Sequence, residues 1–334
     1  MAVPVVAIRD REGVRCGAAG VADLESNAPL EPWAQFCVAS VGKTFLAALV
    51  LTLVDDGSVR LEDACATYLP ELEHPLPGVT IRDLLRHTSG LGDFVQTPEY
   101  LAALADEPRR RWTTAELLAL AGAPVSPPDE RYVYASTNFL LLALIAERVG
   151  GRPLPVMVEE RVAAPLGLRD TAFLPAARPV KGYAPADNPL FPGRGDEPLD
   201  VSERNAGIGF GADSIVSTAP DVARFLGGLL GGELLSPRML AEMTTTVPAD
   251  GVEAVAYGLG IAEMTSALGL SPSPCGPAWG HLGLRPGHTT IAFSRLDGSS
   301  QAVVIVNAGL FGSDVWTALG ATAWHAYCGQ AGDP

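Results

Sequence analysis

The sequence has few cysteines and histidines, and their spacing excludes the common disulfide and metal frameworks. Among 334 residues there are five cysteines and five histidines, with no Cys-x-x-Cys and no His-x-x-x-His pair. An odd number of cysteines without paired spacing argues against a disulfide framework and against a zinc site. We therefore expect reduced thiols in a cytoplasmic protein that binds no metal and no cofactor.

Long apolar runs and basic runs are also lacking. No stretch of roughly eighteen uncharged apolar residues exists, and the first residues show neither the basic start nor the cleavage site of a signal peptide. Asp and Glu outnumber Lys and Arg by 38 to 23, giving a net charge of −15. Because an acidic chain repels phosphate backbones, neither nucleic acid nor a membrane is an expected partner.

What the sequence does contain is strand patterns at both ends and helix patterns between them. Val3–Ile8 and Val14–Val21 predict an N-terminal hairpin. Three C-terminal strands and a closing helix are predicted over residues 278–282, 289–296, 302–307 and 314–327. This order predicts an α/β protein with a sheet domain from residues 1–60 and 205–334, a helical domain inserted over 61–204, and the active site at their interface.

The most apolar stretch, Phe36–Val54, contains one pair of chemically interesting residues. We predict a helix here, in which Lys43 is the only charged side chain. Burial without a partner is expected to lower the pKa of Lys43 toward neutrality, which suits a general base. Ser40 lies three residues earlier, on the same helical face and near the helix N-terminus. The pair therefore predicts Ser40 as a nucleophile activated by Lys43.

Two other interpretations of this pair exist. Gly42-Lys43-Thr44 matches the end of a phosphate-binding loop, but Cys37 stands where the first glycine of that loop is required, so this interpretation is excluded. A serine in the first turn of a helix followed by a snorkelling lysine is the structural alternative, and the pair alone leaves it open.

Segments along most of the chain resemble the family of class C β-lactamases, DD-peptidases and related esterases. They are residues 36–45, 53–57, 68–72, 80–91, 134–151 and 217–222. Several ordered motifs are far more specific than one. The resemblance implies a β-lactamase/transpeptidase-like fold, with an antiparallel sheet flanked by helices, and a covalent acyl-enzyme on Ser40. His87, at the end of a predicted helix, is interpreted as structural.

Tyr134-Ala135-Ser136 occupies the place of the family's Tyr-x-Asn element. The resemblance implies that Tyr134 relays protons between the nucleophile and the leaving group. Ser136 replaces an asparagine whose amide would hold a substrate carbonyl and the lysine, and a hydroxyl cannot offer both a carbonyl acceptor and an amide donor. Either Ser136 contacts substrate, or Ser136 or Thr137 caps the next helix.

His281-Leu282-Gly283 matches the family's His-x-Gly element. The resemblance implies that His281 tunes the protonation of the Tyr134 and Lys43 pair. Gly283 would let the strand approach the ligand, and the N–H of Leu284 would form an oxyanion hole with that of Ser40.

The residues around Gly283 also indicate a substrate class. Family members that act on penicillins use hydroxyls beside this glycine to hold a free carboxylate, whereas here both neighbours, Leu282 and Leu284, are apolar. Arg285 is the nearby charge that could still bind such a carboxylate. The chain is thus expected to act on a small-molecule ester or amide as an esterase or amidase, and not as an efficient β-lactamase. Transfer of the acyl group to an amine or alcohol, or a non-catalytic binding role, are the alternatives.

Overall fold

The computed structural model describes residues 4–72, 76, 78–107, 109–128, 131–191, 197–203, 211–249, 255–265, 273, 275–309 and 313–329; Val3, predicted to begin the first strand, lies outside these ranges. The strands are β1 (Val5–Asp10), β2 (Gly13–Ala18), β3 (Val21–Asp23), β4 (Ala28–Pro29), β5 (Phe36–Cys37), β6 (Ala172–Phe173), β7 (Tyr183–Ala184), β8 (Leu199–Asp200), β9 (Ile215–Ser217), β10 (Val247–Pro248), β11 (Val255–Tyr257), β12 (Ala262–Met264), β13 (Ala278–Arg285), β14 (His288–Ser294) and β15 (Gln301–Val306). The helices are α1 (Gly42–Asp55), α2 (Cys65–Tyr68), α3 (Ile81–Arg86), α4 (Pro98–Asp106), α5 (Thr114–Ala121), α6 (Ser136–Gly150), α7 (Leu154–Val158), α8 (Ala164–Leu166), α9 (Ala219–Leu230), α10 (Pro237–Met243) and α11 (Ser313–Cys328).

One antiparallel sheet of eight strands joins the two ends of the chain. Its order is β10-β11-β12-β13-β14-β15-β1-β2. The C-terminal strand β15 pairs with β1, placing Val5 opposite Ile305. The α/β class, the N-terminal hairpin and the C-terminal strands predicted from the sequence are confirmed.

Helices cover both faces of this sheet. β15 is buried along its whole length because Ala302–Val306 is apolar at every position and successive side chains point to opposite faces. Val303 and Ile305 belong to the large core that includes α1 and α9. Val304 and Val306 pack instead with aromatic residues of α11.

Helix α1 is the element that connects the sheet to the helical part of the chain. It contacts β13 as well as α6 and α7, and nearly all of its side chains are buried. Helices α2–α8 lie within residues 61–204, the range predicted for the inserted helical domain. The boundaries of the two domains remain predictions.

The start of the apolar stretch differs from the sequence prediction of one helix over Phe36–Val54. Phe36 and Cys37 form β5, which pairs with β9. Ala39–Val41 form a short 3-10 turn, and the α-helix begins only at Gly42. The physical reason is Ala39, whose φ of 51° lies in the left-handed region and interrupts a continuous right-handed α-helix at this position.

The cysteines also correct an expectation. Cys275 and Cys328 form a disulfide, whereas Cys16, Cys37 and Cys65 are free. The pairing follows from the packing of α11 over β14 and β15, which brings two distant positions together with a Cα–Cα distance of 5.5 Å. None of the helices in the described ranges is long and apolar enough to cross a membrane.

Candidate active site

Ser40 is presented by a tight turn between β5 and α1. The Val38 N–H donates to the Ile215 carbonyl of β9, and Ala39 then takes its left-handed conformation, which costs a non-glycine residue roughly 1–2 kcal/mol. Strained backbone conformations of this kind are common at active sites, where the surrounding structure maintains them. Here this conformation re-aims the chain so that Ser40 lies in the first turn leading into α1.

Lys43 and Ser40 meet as the spacing predicts. The Lys43 Nζ lies 3.0 Å from the Ser40 Oγ, and the lysine side chain is only 1% exposed. The Ser40 hydroxyl is therefore held by a group buried in the first turn of α1.

The charge state expected for Lys43 is corrected. Burial by itself would lower the pKa of Lys43, but Asp213, Tyr134 and Asp93 together outweigh burial and raise the pKa above its ordinary value. Asp213 is the nearest of the carboxylates, with its Oδ1 3.8 Å from the Lys43 Nζ. Lys43 is thus an ammonium that donates to Ser40, and the expectation of a pKa near neutrality is wrong.

Tyr134 contacts the same hydroxyl from the other side. Its Oη donates to the Ser40 Oγ at 2.9 Å, and the Lys43 Nζ lies 5.2 Å from the centre of its ring. His87 fixes the segment that carries Tyr134, because its carbonyl accepts from the Val133 N–H and its Nδ1 accepts from the Ala135 N–H. Ser40 is therefore the shared partner of a cation and a phenol.

Ser136 does not cap a helix with its side chain. It is the first residue of α6, whose N-cap is Ala135 and has no side-chain hydrogen bond. The Ser136 N–H donates instead to the Asp93 Oδ1 at 2.9 Å, and Thr137 donates to the Gly92 carbonyl. The capping interpretation is wrong for both residues, since Asp93 supplies the acceptor. Contact of the Ser136 hydroxyl with substrate remains a prediction.

His281 lies beside the reactive group without a hydrogen bond to it in the described residues. Its Nδ1 donates to the Leu282 carbonyl at 2.6 Å, and its Nε2 accepts from the Tyr257 Oη at 3.0 Å. Burial, and then the charge of Lys43, lowers the pKa of His281 to about 4, so the ring is neutral. The ring centres of His281 and Tyr134 are 6.5 Å apart. A role for His281 in tuning the protonation of Tyr134 remains a prediction.

The strand β13 passes close to the nucleophile at Gly283. A Cβ placed on Gly283 would lie 2.4 Å from the Val38 carbonyl oxygen and 3.3 Å from the Ser40 nitrogen, so glycine is required for this approach. In the described part of the chain, pairing of β12 along β13 ends at Gly280. β13 also contacts the Ala39–Val41 turn that carries Ser40. This placement agrees with the predicted oxyanion hole, which remains a prediction.

Arg285 is held inside the protein. It is buried, and its Nη1 donates to the main-chain carbonyl of Asp213 at 2.6 Å. The side chain therefore ties the end of β13 to the turn that carries Asp213. Its predicted role in binding substrate is untested.

Sequence reasoning missed three groups of this site, namely Asp93, Asp213 and Tyr257. Asp93 stands two residues beyond the motif that ends at Leu91, and Asp213 stands just before the motif that begins at Ser217. An unpaired Lys43 in an apolar stretch was the signal that a carboxylate had to come from elsewhere in the chain.

Comparisons with known proteins agree on one family. The profile of the family described as "Beta-lactamase" matches residues 2–316. Esterase EstB of Burkholderia gladioli is 32% identical over 297 residues, covering 80% of this chain and 75% of the esterase. A D-aminopeptidase of Cereibacter sphaeroides is 30% identical over 196 residues, covering 55% of this chain but only 37% of the aminopeptidase. The match thus spans little more than a third of that relative.

Solved structures with the same fold carry amidase activities in their descriptions. A D-stereospecific amidohydrolase from Streptomyces is 30% identical, with a TM-score of 0.80 over 98% of this chain and 94% of the other. The D-amino acid amidase from Ochrobactrum anthropi, in complex with L-phenylalanine amide, is 28% identical, with a TM-score of 0.82 over 98% of this chain and 93% of the other.

Proposed function

The chain belongs to the β-lactamase family and is a serine hydrolase of that family, and on this premise we propose that it cleaves esters and amides through an acyl-enzyme on Ser40. The observation that carries the proposal is the convergence of the Lys43 Nζ at 3.0 Å and the Tyr134 Oη at 2.9 Å on one serine hydroxyl. Esterase, amidase and aminopeptidase relatives support this reaction class.

The proposed acylation step uses the charge of Lys43. An ammonium has no lone pair to accept a proton, so the acceptor of the Ser40 proton is the deprotonated Oη of Tyr134, which lies 2.9 Å from the Ser40 Oγ. The Ser40 Oγ attacks the substrate carbonyl carbon while its proton passes to the Tyr134 Oη. Tyr134 then protonates the departing alcohol or amine as its bond to the acyl carbon breaks, and Tyr134 is a phenolate again.

Deacylation repeats these roles with water. Water gives a proton to Tyr134 and attacks the acyl carbon, and Tyr134 returns the proton to Ser40 as the ester breaks. The N–H groups of Ser40 and Leu284 are proposed to hold the oxyanion in both steps, which is supported by the approach of β13 to the Ser40 nitrogen at Gly283. Water is proposed as the acceptor because the relatives are hydrolases by name.

The preferred substrates are proposed to lack a free carboxylate next to the scissile bond. The side chains of Leu282 and Leu284 offer no hydrogen bond to such a group, and the Arg285 side chain donates to the Asp213 carbonyl. A carboxylate that loses its water here without a partner is penalised by several kcal/mol, whereas a simple ester is not.

Amino acid amides are a second candidate class, and Asp93 is the observation that favours it. Its Oδ1 accepts from the Ser136 and Val95 N–H groups, while within the described residues no hydrogen bond is made by its Oδ2. This partly buried carboxylate beside the charged Lys43 could also pair with a substrate ammonium. The amidase relatives support this class.

Hydrolysis of a p-nitrophenyl ester, a chromogenic cephalosporin and phenylalanine amide tests the substrate proposal. We expect kcat/KM for the ester to exceed that for the cephalosporin by about a hundredfold or more. A cephalosporin that is the better substrate would refute the carboxylate argument and make Arg285 the first residue to examine. Faster cleavage of phenylalanine amide than of its analogue without the amino group would support the role of Asp93.

A cytoplasmic location stays a proposal, and the Cys275–Cys328 disulfide weighs against it. Disulfides persist in oxidising compartments and are rare in a reducing cytosol. Alkylation of thiols during extraction, followed by mass measurement, decides the question. Modification of both Cys275 and Cys328 would support the cytoplasm, whereas their protection would contradict it.

A further inference from the structure

Lys43 is a buried cation whose position needs a counter-charge. Its side chain is 1% exposed and lies at the start of α1, most of whose side chains are buried. A buried ammonium without a charged or hydrogen-bonded partner is strongly destabilised. The resemblance assigns this task partly to an asparagine at the position of Ser136. In the described residues Ser136 makes no hydrogen bond to Lys43, and its N–H is bonded to Asp93.

Asp213 is the carboxylate that reaches Lys43. Its Oδ1 lies 3.8 Å from the Lys43 Nζ, the one ion pair of Lys43 among the described residues, and its side chain is 22% exposed. It belongs to a 3-10 turn, Ala212–Ser214, that runs into β9. At this distance Asp213 forms an ion pair with Lys43, while the Lys43 Nζ keeps its hydrogen bond to the Ser40 Oγ.

The fold holds this turn against the start of α1. A Cβ on Gly42 would lie 2.0 Å from the Ala212 carbonyl oxygen, so only glycine at this position allows the turn to come so close. Arg285 fixes the same turn from the sheet side through the Asp213 carbonyl. The Ser214 carbonyl accepts from the Leu174 N–H, which anchors its far end. The carboxylate is thus placed by backbone contacts on three sides.

We propose that Asp213 is the positioning residue of this active site, and that it holds the Lys43 ammonium on Ser40 in place of the asparagine that Ser136 replaces. The inference rests on the acyl-enzyme chemistry proposed for Ser40. In this role Asp213 acts through Lys43, with which it forms an ion pair at 3.8 Å, and takes no part in proton transfer.

The pH dependence of the reaction follows from the groups around Lys43. The titratable groups that face or influence it are Asp213, Tyr134, Asp93, His281 and His87. Both histidines are neutral because burial, above all, lowers their pKa. Burial lowers the pKa of Lys43 and the charge of Asp213 raises it, so removing that charge lowers the pKa of Lys43. Since the reaction requires the ammonium, activity is then lost at lower pH on the alkaline side.

The test compares Asp213→Asn with Asp200→Asn. The first removes a charge beside Lys43 and keeps the size of the side chain. The second makes the same change at the surface, where the Asp200 Oδ2 lies 3.7 Å from the Lys181 Nζ. Turnover of a p-nitrophenyl ester is measured across pH per mole of Ser40 titrated with a fluorophosphonate, so that a folding defect does not count as lost activity.

We expect Asp213→Asn to lower kcat by at least about tenfold with little change in KM, as when a buried charge loses its partner. We expect its alkaline limb to move down by about one to three pH units, the effect of removing an opposite charge at this range. Asp200→Asn should match the wild type. An Asp213→Asn profile superimposable on that of Asp200→Asn would overturn the role of Asp213.

Different results would refute the acyl-enzyme on Ser40 and the inference about Asp213. Wild-type turnover that persists in Ser40→Ala would refute the acyl-enzyme itself. Turnover that depends on Ser40 but not on the charge at position 213 would refute only the inference about Asp213.

Discussion

The two lysines of this chain, Lys43 and Lys181, are both paired with aspartates, but in opposite surroundings. Lys43 is buried, with Asp213 at 3.8 Å and the Ser40 hydroxyl at 3.0 Å. Lys181 is 36% exposed and lies 3.1 Å from Asp23, 3.6 Å from Glu25 and 3.7 Å from Asp200. The surface lysine therefore has more carboxylates around it than the buried one.

The difference shows that burial of a lysine, and not the number of its ion pairs, determines how strongly its charge acts on neighbouring groups. Around Lys181, water and salt screen the carboxylates, so its pairs contribute little to stability. Around Lys43 the lack of water strengthens every interaction, and one carboxylate at 3.8 Å helps to keep the ammonium charged against the cost of burial. That ammonium is the group that donates to the Ser40 hydroxyl at 3.0 Å.

The largest expected effect comes from removing each lysine in turn. We expect Lys43→Ala to lower kcat/KM by roughly a thousandfold or more, because lysine, tyrosine and serine act as one unit. Lys181→Ala should stay close to the wild type. Steady-state ester hydrolysis measures both. If Lys43→Ala kept a tenth or more of wild-type turnover, a loss of about 1.4 kcal/mol or less, another group would be the one that activates Ser40.

A smaller effect is expected from Tyr134→Phe, which keeps the ring near Lys43 and removes the Oη that bonds Ser40. Loss of a group that transfers protons should lower kcat by roughly a hundredfold, with the fold unchanged. Pre-steady-state kinetics with an ester would check this as a slower acylation phase. A variant with wild-type acylation would show that Lys43 alone serves Ser40.

The smallest effect concerns stability in acid. Burial, with the charge of Lys43, lowers the pKa of His281 to about 4, below the roughly 6.5 of an unfolded histidine. The unfolded chain thus binds more protons between these values, and the free energy of unfolding falls as the pH drops through this window. We expect His281→Gln to make the thermal midpoint less dependent on pH between about 6.5 and 4.

The matched control is His325→Gln, which makes the same substitution at an exposed position. The thermal midpoint of this variant should depend on pH as that of the wild type does. Equal slopes for the wild type and His281→Gln would mean that His281 is not held neutral beside Lys43.

Local patterns predict what neighbours in sequence determine. The spacing of Ser40 and Lys43 places them on one surface even though the first is in a 3-10 turn and the second in α1. The apolar run at residues 302–307 likewise predicts a strand, which the structure shows as β15. Both features depend on the spacing of side chains along a helix or strand, which can be read from the sequence alone.

What could not be predicted depends on contacts between distant segments. Asp213 lies close to Lys43 because Gly42 lets the Ala212 carbonyl approach α1. The residues next to Lys43 in the sequence do not indicate this contact. Without that carboxylate, burial alone gives the wrong direction for the pKa of Lys43. The Cys275–Cys328 bond was missed for the same reason, since only the packing of α11 brings the two residues together.

The most direct test of the central claim is the intact-protein mass after incubation with a fluorophosphonate and with a slowly hydrolysed activated ester. We expect one adduct per chain with each reagent on the wild type, located on Ser40 by peptide mapping, and none on Ser40→Ala. Wild-type protein that forms no adduct, or Ser40→Ala protein that still forms one and still turns over the ester, would contradict an acyl-enzyme on Ser40.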